Sequence, residues 1–133
     1  MSKQYNIADY IPQRPPFIFI DTIEEVNETL ARTCFTIPAD YAMVTDGHLT
    51  LAGLAENAAQ TCAVRIGYMA GNKIGYIGAI KQMETRSLPR AGQTLTTEVR
   101  LIQEVLNICM MECVTSVDGE IVATATLKLA TVD

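Results

Sequence analysis

The sequence has a single histidine, no run of lysine or arginine, and four cysteines without CxxC spacing. Each scarcity excludes something. One histidine with no grouped carboxylates argues against a metal site, and no cofactor is expected. A net charge of −5 without a basic run argues against nucleic acid as a partner. No apolar stretch is long enough for a signal peptide or a membrane span, so no membrane is expected and the compartment read from the sequence is the cytoplasm. There Cys34, Cys62, Cys109 and Cys113 read as reduced, mostly buried thiols. Repeats, linkers and low-complexity segments are also missing, and 133 residues suit a single domain over 1–133.

What is present is a chain that is 49% hydrophobic, enough for a real core. Asn6 to Tyr10 reads as one helical turn, stopped by Pro12 and the Pro15-Pro16 pair. Phe17–Glu25 and Leu30–Ile37 read as antiparallel strands across Asn27-Glu28-Thr29, and residues 38–50 as a loop. An apolar helix follows from Leu51 to Tyr68, with Gly71-Asn72 as its terminator. Strand then predominates. Lys73–Glu84 carries Gly75 and Gly78, which suggest a bulge or a close approach. Pro89-Arg90-Ala91-Gly92 reads as a turn. Leu95, Thr97, Val99 and Leu101 alternate with polar residues, and Ile108–Val117 joins Ile121–Leu129 through Asp118-Gly119. The expected class is α+β, one long helix wrapped by a bent antiparallel sheet.

The chemistry gathers at the start of that helix. His48 stands just ahead of it and Glu56 lies in its first turns. A carboxylate buried there costs several kcal/mol unless it is paired or protonated. An imidazole and a carboxyl group are the minimum set for taking a proton from carbon and giving one to oxygen. Glu56, Asn57, Gln60, Thr61 and Arg65 fall within about half of the helix circumference. This polar stripe is expected to reach water, a ligand or a second subunit, with Asn57 and Arg65 at a subunit interface. A cysteine nucleophile is not favoured, because nothing places His48 beside Cys62.

Several segments carry a resemblance. IPQRPPFIFIDTI, LAENAAQTCA, Tyr76-Ile77-Gly78-Ala79-Ile80, Leu88-Pro89-Arg90-Ala91-Gly92-Gln93 and Val117-Asp118-Gly119-Glu120-Ile121-Val122-Ala123 resemble, in order, segments of the 3-hydroxyacyl-[acyl-carrier-protein] dehydratases. The resemblance runs from about residue 7 to 129 and implies the hotdog fold. It also implies His48 as the base that abstracts the C2 proton and Glu56 as the acid that helps the C3 hydroxyl leave. Gly53 would be a helix-start amide donor to the thioester carbonyl. Gln60 is expected to hold Glu56, and Gly78 to open a strand beside the acyl tunnel. The sequence departs from the family in two places. The stretch from His48 to Glu56 is shorter and lacks the usual glycine- and proline-rich loop, and Gln13 stands where the family has histidine. The size and short loop resemble a divergent branch associated with aryl polyene or flexirubin-type pathways.

The implied partner is an acyl carrier protein bearing the acyl thioester, docked near Lys81, Arg86 and Arg90. A homodimer or higher oligomer is expected, or a pairing with a different hotdog chain. Two further possibilities belong to the same fold: a thioesterase using Glu56, and a non-catalytic hotdog subunit that completes an active dehydratase.

Overall fold

The computed structural model describes residues 5–70 and 74–132. A 3-10 turn, Ile7–Asp9, is capped by the Asn6 side chain, which accepts from the Ala8 amide. Strand β1 (Thr22–Val26) and β2 (Leu30–Thr36) form the first hairpin. The short strands β3 (Val44–Thr45) and β4 (His48–Leu49) precede helix α1 (Leu51–Ala70). Four long strands follow: β5 (Ile74–Thr85), β6 (Thr94–Val105), β7 (Ile108–Val117) and β8 (Glu120–Val132). The expected helix terminator Gly71-Asn72, and Lys73 at the expected start of the next strand, lie outside the described residues.

Six strands make one antiparallel sheet in the order β1-β2-β6-β7-β8-β5. Alternation decides which face meets the helix. In β7, Cys109, Met111, Cys113, Thr115 and Val117 are buried while their neighbours are not. From α1, Leu54, Ala58, Ala59, Cys62, Val64 and Ile66 fill the space opposite. One helix lies across one large sheet, which is the hotdog arrangement. The Asp118-Gly119 hairpin forms with φ of 51° and 83°, as a two-residue turn between twisted strands requires. Gly78 falls where the β5–β8 register slips between Ile77 and Ala79, so the expected bulge is present.

Three sequence expectations need correction. Residues 17–21 are not strand; β1 begins at Thr22, because side chains take up the main chain of 17–19, Gln60 and Asn57 of the helix at Phe17 and Phe19 and Tyr41 at Ile18. Residues 38–50 are not all loop, since they contain the β3–β4 hairpin. Apart from half-buried Glu56, the polar stripe of α1 turns inward rather than toward water or an interface. Asn57, Gln60, Thr61 and Arg65 are all at most 2% exposed within this one chain.

Their partners explain how polar groups survive there. Gln60 accepts from the Phe19 amide at 2.7 Å and donates to the Phe17 carbonyl at 2.8 Å. Asn57 donates to the Phe19 carbonyl at 2.7 Å and accepts from the Thr97 hydroxyl at 2.6 Å. The Thr61 hydroxyl donates to the Asn57 carbonyl, so the Thr33 hydroxyl must donate to Thr61. Arg65 donates twice to the Glu28 carbonyl and once to Glu104. The stripe fastens the leading segment and the β1–β2 turn to the helix.

Gly67 marks the tightest approach of that leading segment. A Cβ at this position would sit 2.5 Å from the Tyr10 carbonyl oxygen and 3.1 Å from its Cα. Main chain cannot swing aside as a side-chain tip can. Gly67→Ala gains about 1 kcal/mol of helix propensity but meets an overpacking cost of about 1–3 kcal/mol. Thermal unfolding of this variant should show a lower Tm than wild type; a rise would mean that the 3-10 turn does not press on the helix.

Candidate active site

His48 is held from three sides. The turn Asp46-Gly47 has φ of 53° and 75°, both left-handed, and closes the β3–β4 hairpin. On the other edge of β4, His48 bridges Arg90, the Leu49 amide donates to the Pro89 carbonyl, and the Ala91 amide donates to the Gly47 carbonyl. The imidazole Nδ1 lies 2.9 Å from the Asp46 carbonyl oxygen. A carbonyl only accepts, so Nδ1 carries the hydrogen and Nε2 keeps the lone pair of the neutral ring. The main chain thereby selects the tautomer whose basic nitrogen faces away from the turn.

Helix α1 starts immediately after. Thr50 caps it, its hydroxyl accepting the Gly53 amide at 3.2 Å, and the Leu54 amide donates to the Thr50 carbonyl. Gly53, read from the sequence as an amide donor to substrate, therefore already has an acceptor. Its lack of a side chain serves packing, since a Cβ there would lie 2.7 Å from Leu49 Cγ and 3.3 Å from Met43 Cβ. The helix is pressed directly onto the hairpin that carries His48. The amides of Leu51 and Ala52 find no acceptor among the described residues.

Glu56 is half-buried on α1, and no hydrogen bond or ion pair reaches it among the described residues. Burial among apolar groups pushes its carboxyl above the ordinary value, toward the protonated form. Gln60, expected to hold Glu56, uses its amide on Phe17 and Phe19 instead. His48 and Glu56 make no bond to each other within the chain.

A cleft of about 830 Å³ opens over His48, lined also by Thr45, Thr50, Leu88, Arg90 and Gln93; Glu56 is not part of its wall. Arg90 shares this cleft, whereas Lys81 and Arg86 lie outside it. All three are exposed, and their side chains make no hydrogen bond or ion pair among the described residues. Arg32 and Arg100, by contrast, are spent on glutamates. Gly78 is exposed on β5, and the nearest atom to a Cβ there would be the Lys128 carbonyl oxygen at an ordinary 3.4 Å. The glycine thus relieves no crowding against the helix.

A thiol nucleophile does not fit. Cys62 is fully buried, 3.7 Å from the Cys113 sulfur, and that hydrogen bond together with burial pushes its thiol well up. Among the described residues no group of three or more His, Cys, Asp or Glu could hold a metal ion. No helix among them is long and apolar enough to cross a membrane. Sequence reasoning missed the support of His48 by Asp46, Pro89 and Ala91. The Asp46-Gly47 dipeptide was the available signal.

Comparison with known proteins gives a consistent picture. The 3-hydroxyacyl-[acyl-carrier-protein] dehydratase FabZ of Levilactobacillus brevis is 29% identical over 131 residues, covering 91% of this chain and 87% of that protein. FabZ of Aliivibrio fischeri is 26% identical over 134 residues, covering 93% and 89%. Among solved structures, the dehydratase heterocomplex ApeI:P from Xenorhabdus doucetiae is similar in fold, with a TM-score of 0.89 and 17% identity over 98% of this chain and 93% of that one. The E. coli PaaI protein gives a TM-score of 0.70 at 17% identity over 81% and 80%. The family model for the ApeP dehydratase matches residues 5–133, nearly the whole sequence. This chain belongs to the ApeP-like dehydratase family.

Proposed function

We propose that this hydro-lyase removes water from 3-hydroxyacyl thioesters carried on an acyl carrier protein, giving trans-2-enoyl thioesters in fatty-acid or polyene-type biosynthesis in the cytoplasm. The observation that carries the reading is Glu56, a half-buried carboxyl with no bonded partner among the described residues, biased toward its protonated form in the first turns of an apolar helix. Hydroxide is a poor leaving group, so the acid must hold a proton when the C3–O bond breaks. His48 takes the C2 proton on Nε2, the nitrogen left free by the Asp46 carbonyl. The electron pair of the C2–H bond moves toward the thioester carbonyl as charge develops on its oxygen. Amides at the α1 N-terminus stabilise that charge, with Leu51 and Ala52 better placed than Gly53 to donate. The pair then forms the double bond as hydroxide departs with the proton of Glu56.

Because His48 and Glu56 do not meet within one chain, we place the working site between two hotdog chains, each giving one group. Strand β5 ends the sheet with an open edge, and Ile80 on it is 41% exposed. Leu51 at the helix start is 50% exposed. Such surfaces call for a partner. The partner is a second copy or, by analogy with the ApeI:P heterocomplex, a different hotdog chain. Mixing His48→Ala with Glu56→Gln subunits separates these cases. A shared homodimer site recovers roughly a quarter of wild-type turnover, because random pairing rebuilds one intact site in half of the dimers. No recovery would exclude the shared homodimer site.

Lys81, Arg86 and Arg90 carry positive charge that no ion pair among the described residues compensates, and we assign the acidic carrier to them. Charge reversal at Arg86 together with Arg90 is expected to raise KM for a carrier-bound substrate about tenfold more than for a small thioester. Equal effects on both substrates would remove the docking assignment.

A further inference from the structure

We propose that residues 89–93 couple carrier docking to the placement of the base: the Arg90 side chain meets the carrier protein while the Arg90 main chain bridges His48. The inference rests on the dehydratase and docking readings above and adds a regulation of that site.

Strands of two residues, as in β3 and β4, do not hold themselves in water. What completes the little sheet is the 89–93 strap on the free edge of β4. Its bonds to the hairpin are the Pro89 carbonyl to the Leu49 amide and the Ala91 amide to the Gly47 carbonyl, both 2.9 Å. Two more bonds tie its far end to the main body. The Gly92 amide donates to the Ile37 carbonyl at 2.8 Å, and the Ile37 amide donates to the Gln93 carbonyl at 3.0 Å. Gln93 then locks the turn on itself, its side chain accepting the Arg90 amide at 2.8 Å and its own amide donating to the Arg90 carbonyl at 3.0 Å.

The strap therefore links the body of the protein to the His48 hairpin by hydrogen bonds, beside the packing of Leu49 against α1, and Arg90 stands between Pro89 and Ala91, the two residues that bond the hairpin. The Arg90 guanidinium is exposed in the His48 cleft with no bond to the described residues. A carrier carboxylate that fixes this side chain also fixes the main chain that orders β4. Docking and an ordered His48 favour each other, and the coupling must run both ways. The carrier thus helps assemble the base as it delivers the substrate, while an undocked small thioester meets a looser hairpin.

His48 is the only histidine in the sequence, so its ring gives the only imidazole signals of a selectively labelled chain. The experiment titrates an acyl carrier protein lacking its prosthetic arm into the assembled enzyme and follows those signals by NMR. In parallel, turnover of a small pantetheine thioester is measured with and without that carrier. Docking should shift and sharpen the imidazole signals and raise small-thioester turnover about fivefold or more, within the usual range of coupling between sites. Gln93→Leu should still bind the carrier but lose most of the imidazole response. An imidazole unmoved while other signals report binding, or a carrier that only inhibits the small substrate, would overturn the coupling. No binding at all would remove the docking assignment and this inference together. No turnover of the small thioester, nor of the same acyl group on an intact carrier, would remove the dehydratase reading, with the imidazole response still deciding the coupling.

Discussion

Glu56→Gln should lose at least a hundredfold in turnover and yet melt at a higher temperature than wild type at neutral pH. The activity loss follows from removing the proton donor to a poor leaving group. The stability gain follows from the environment of the carboxyl group. Burial raises its pKa in the folded chain, whereas the unfolded chain leaves it at its ordinary value. Its favourable contribution is fully present at acid pH, where the group is protonated in both states. That contribution is lost as pH rises through the raised folded value, where the native chain must ionise a poorly solvated carboxylate. Glutamine carries no such penalty at any pH. The Tm difference between variant and wild type should be near zero in acid and a few degrees positive at neutral pH, as melting curves across pH would show. A lower Tm at neutral pH would mean that a partner stabilises the carboxylate, and Glu56 could not then serve as the acid. His48→Ala should match the loss of turnover.

Asn57→Ala should be among the most destabilising single changes in the helix. The Asn57 side chain, fully buried, gives the Phe19 carbonyl its donor and the Thr97 hydroxyl its acceptor. Removing it leaves both without that partner in the core and opens a small cavity beside them. Each unsatisfied buried group costs about 1–3 kcal/mol and the cavity adds to it. A total of about 3 kcal/mol or more is expected, read as a lower denaturant midpoint at constant slope. Thr97→Val removes the hydroxyl that links Asn57 to Thr115 and should cost less, since Asn57 keeps its bond to Phe19. A near-neutral Asn57→Ala would show that the leading segment is not held by the helix.

These two residues also show what could be read from the sequence and what could not. The hotdog plan was legible because its signals are local: an apolar helix, alternating strands, and Asp118-Gly119 between them. Glu56 stood out for the same reason, as a charge in an alanine-rich run. The polar stripe beside it was legible as a stripe but not in its direction. Whether Asn57, Gln60 and Arg65 face water or the core depends on carbonyls supplied by Phe17, Phe19 and Glu28, some forty residues away in sequence. Phe17–Asp21 looked like strand for a related reason. Its apolar residues suit one, but the Phe17 carbonyl and both main-chain groups of Phe19 bond side chains of α1 instead of a neighbouring strand. The setting of His48 was half legible. Asp46-Gly47 is the same turn signal as Asp118-Gly119, yet strands of two residues leave no alternation to detect. The turn at Pro89-Arg90-Ala91-Gly92 was legible, but its pairing with β4 and with Ile37 is a long-range contact with no local mark.

The central claim is that Glu56 and His48 remove water and leave the thioester intact. The most direct measurement incubates the wild-type protein, together with its hotdog partner if it has one, with a 3-hydroxyacyl thioester on acyl carrier protein, and identifies the product by mass. The account predicts a carrier-bound 2-enoyl thioester lighter by one water, in equilibrium with its substrate and absent with either Glu56→Gln or His48→Ala. Free acid and unloaded carrier, formed with Glu56 but without need of His48, would contradict it and make the chain a thioesterase.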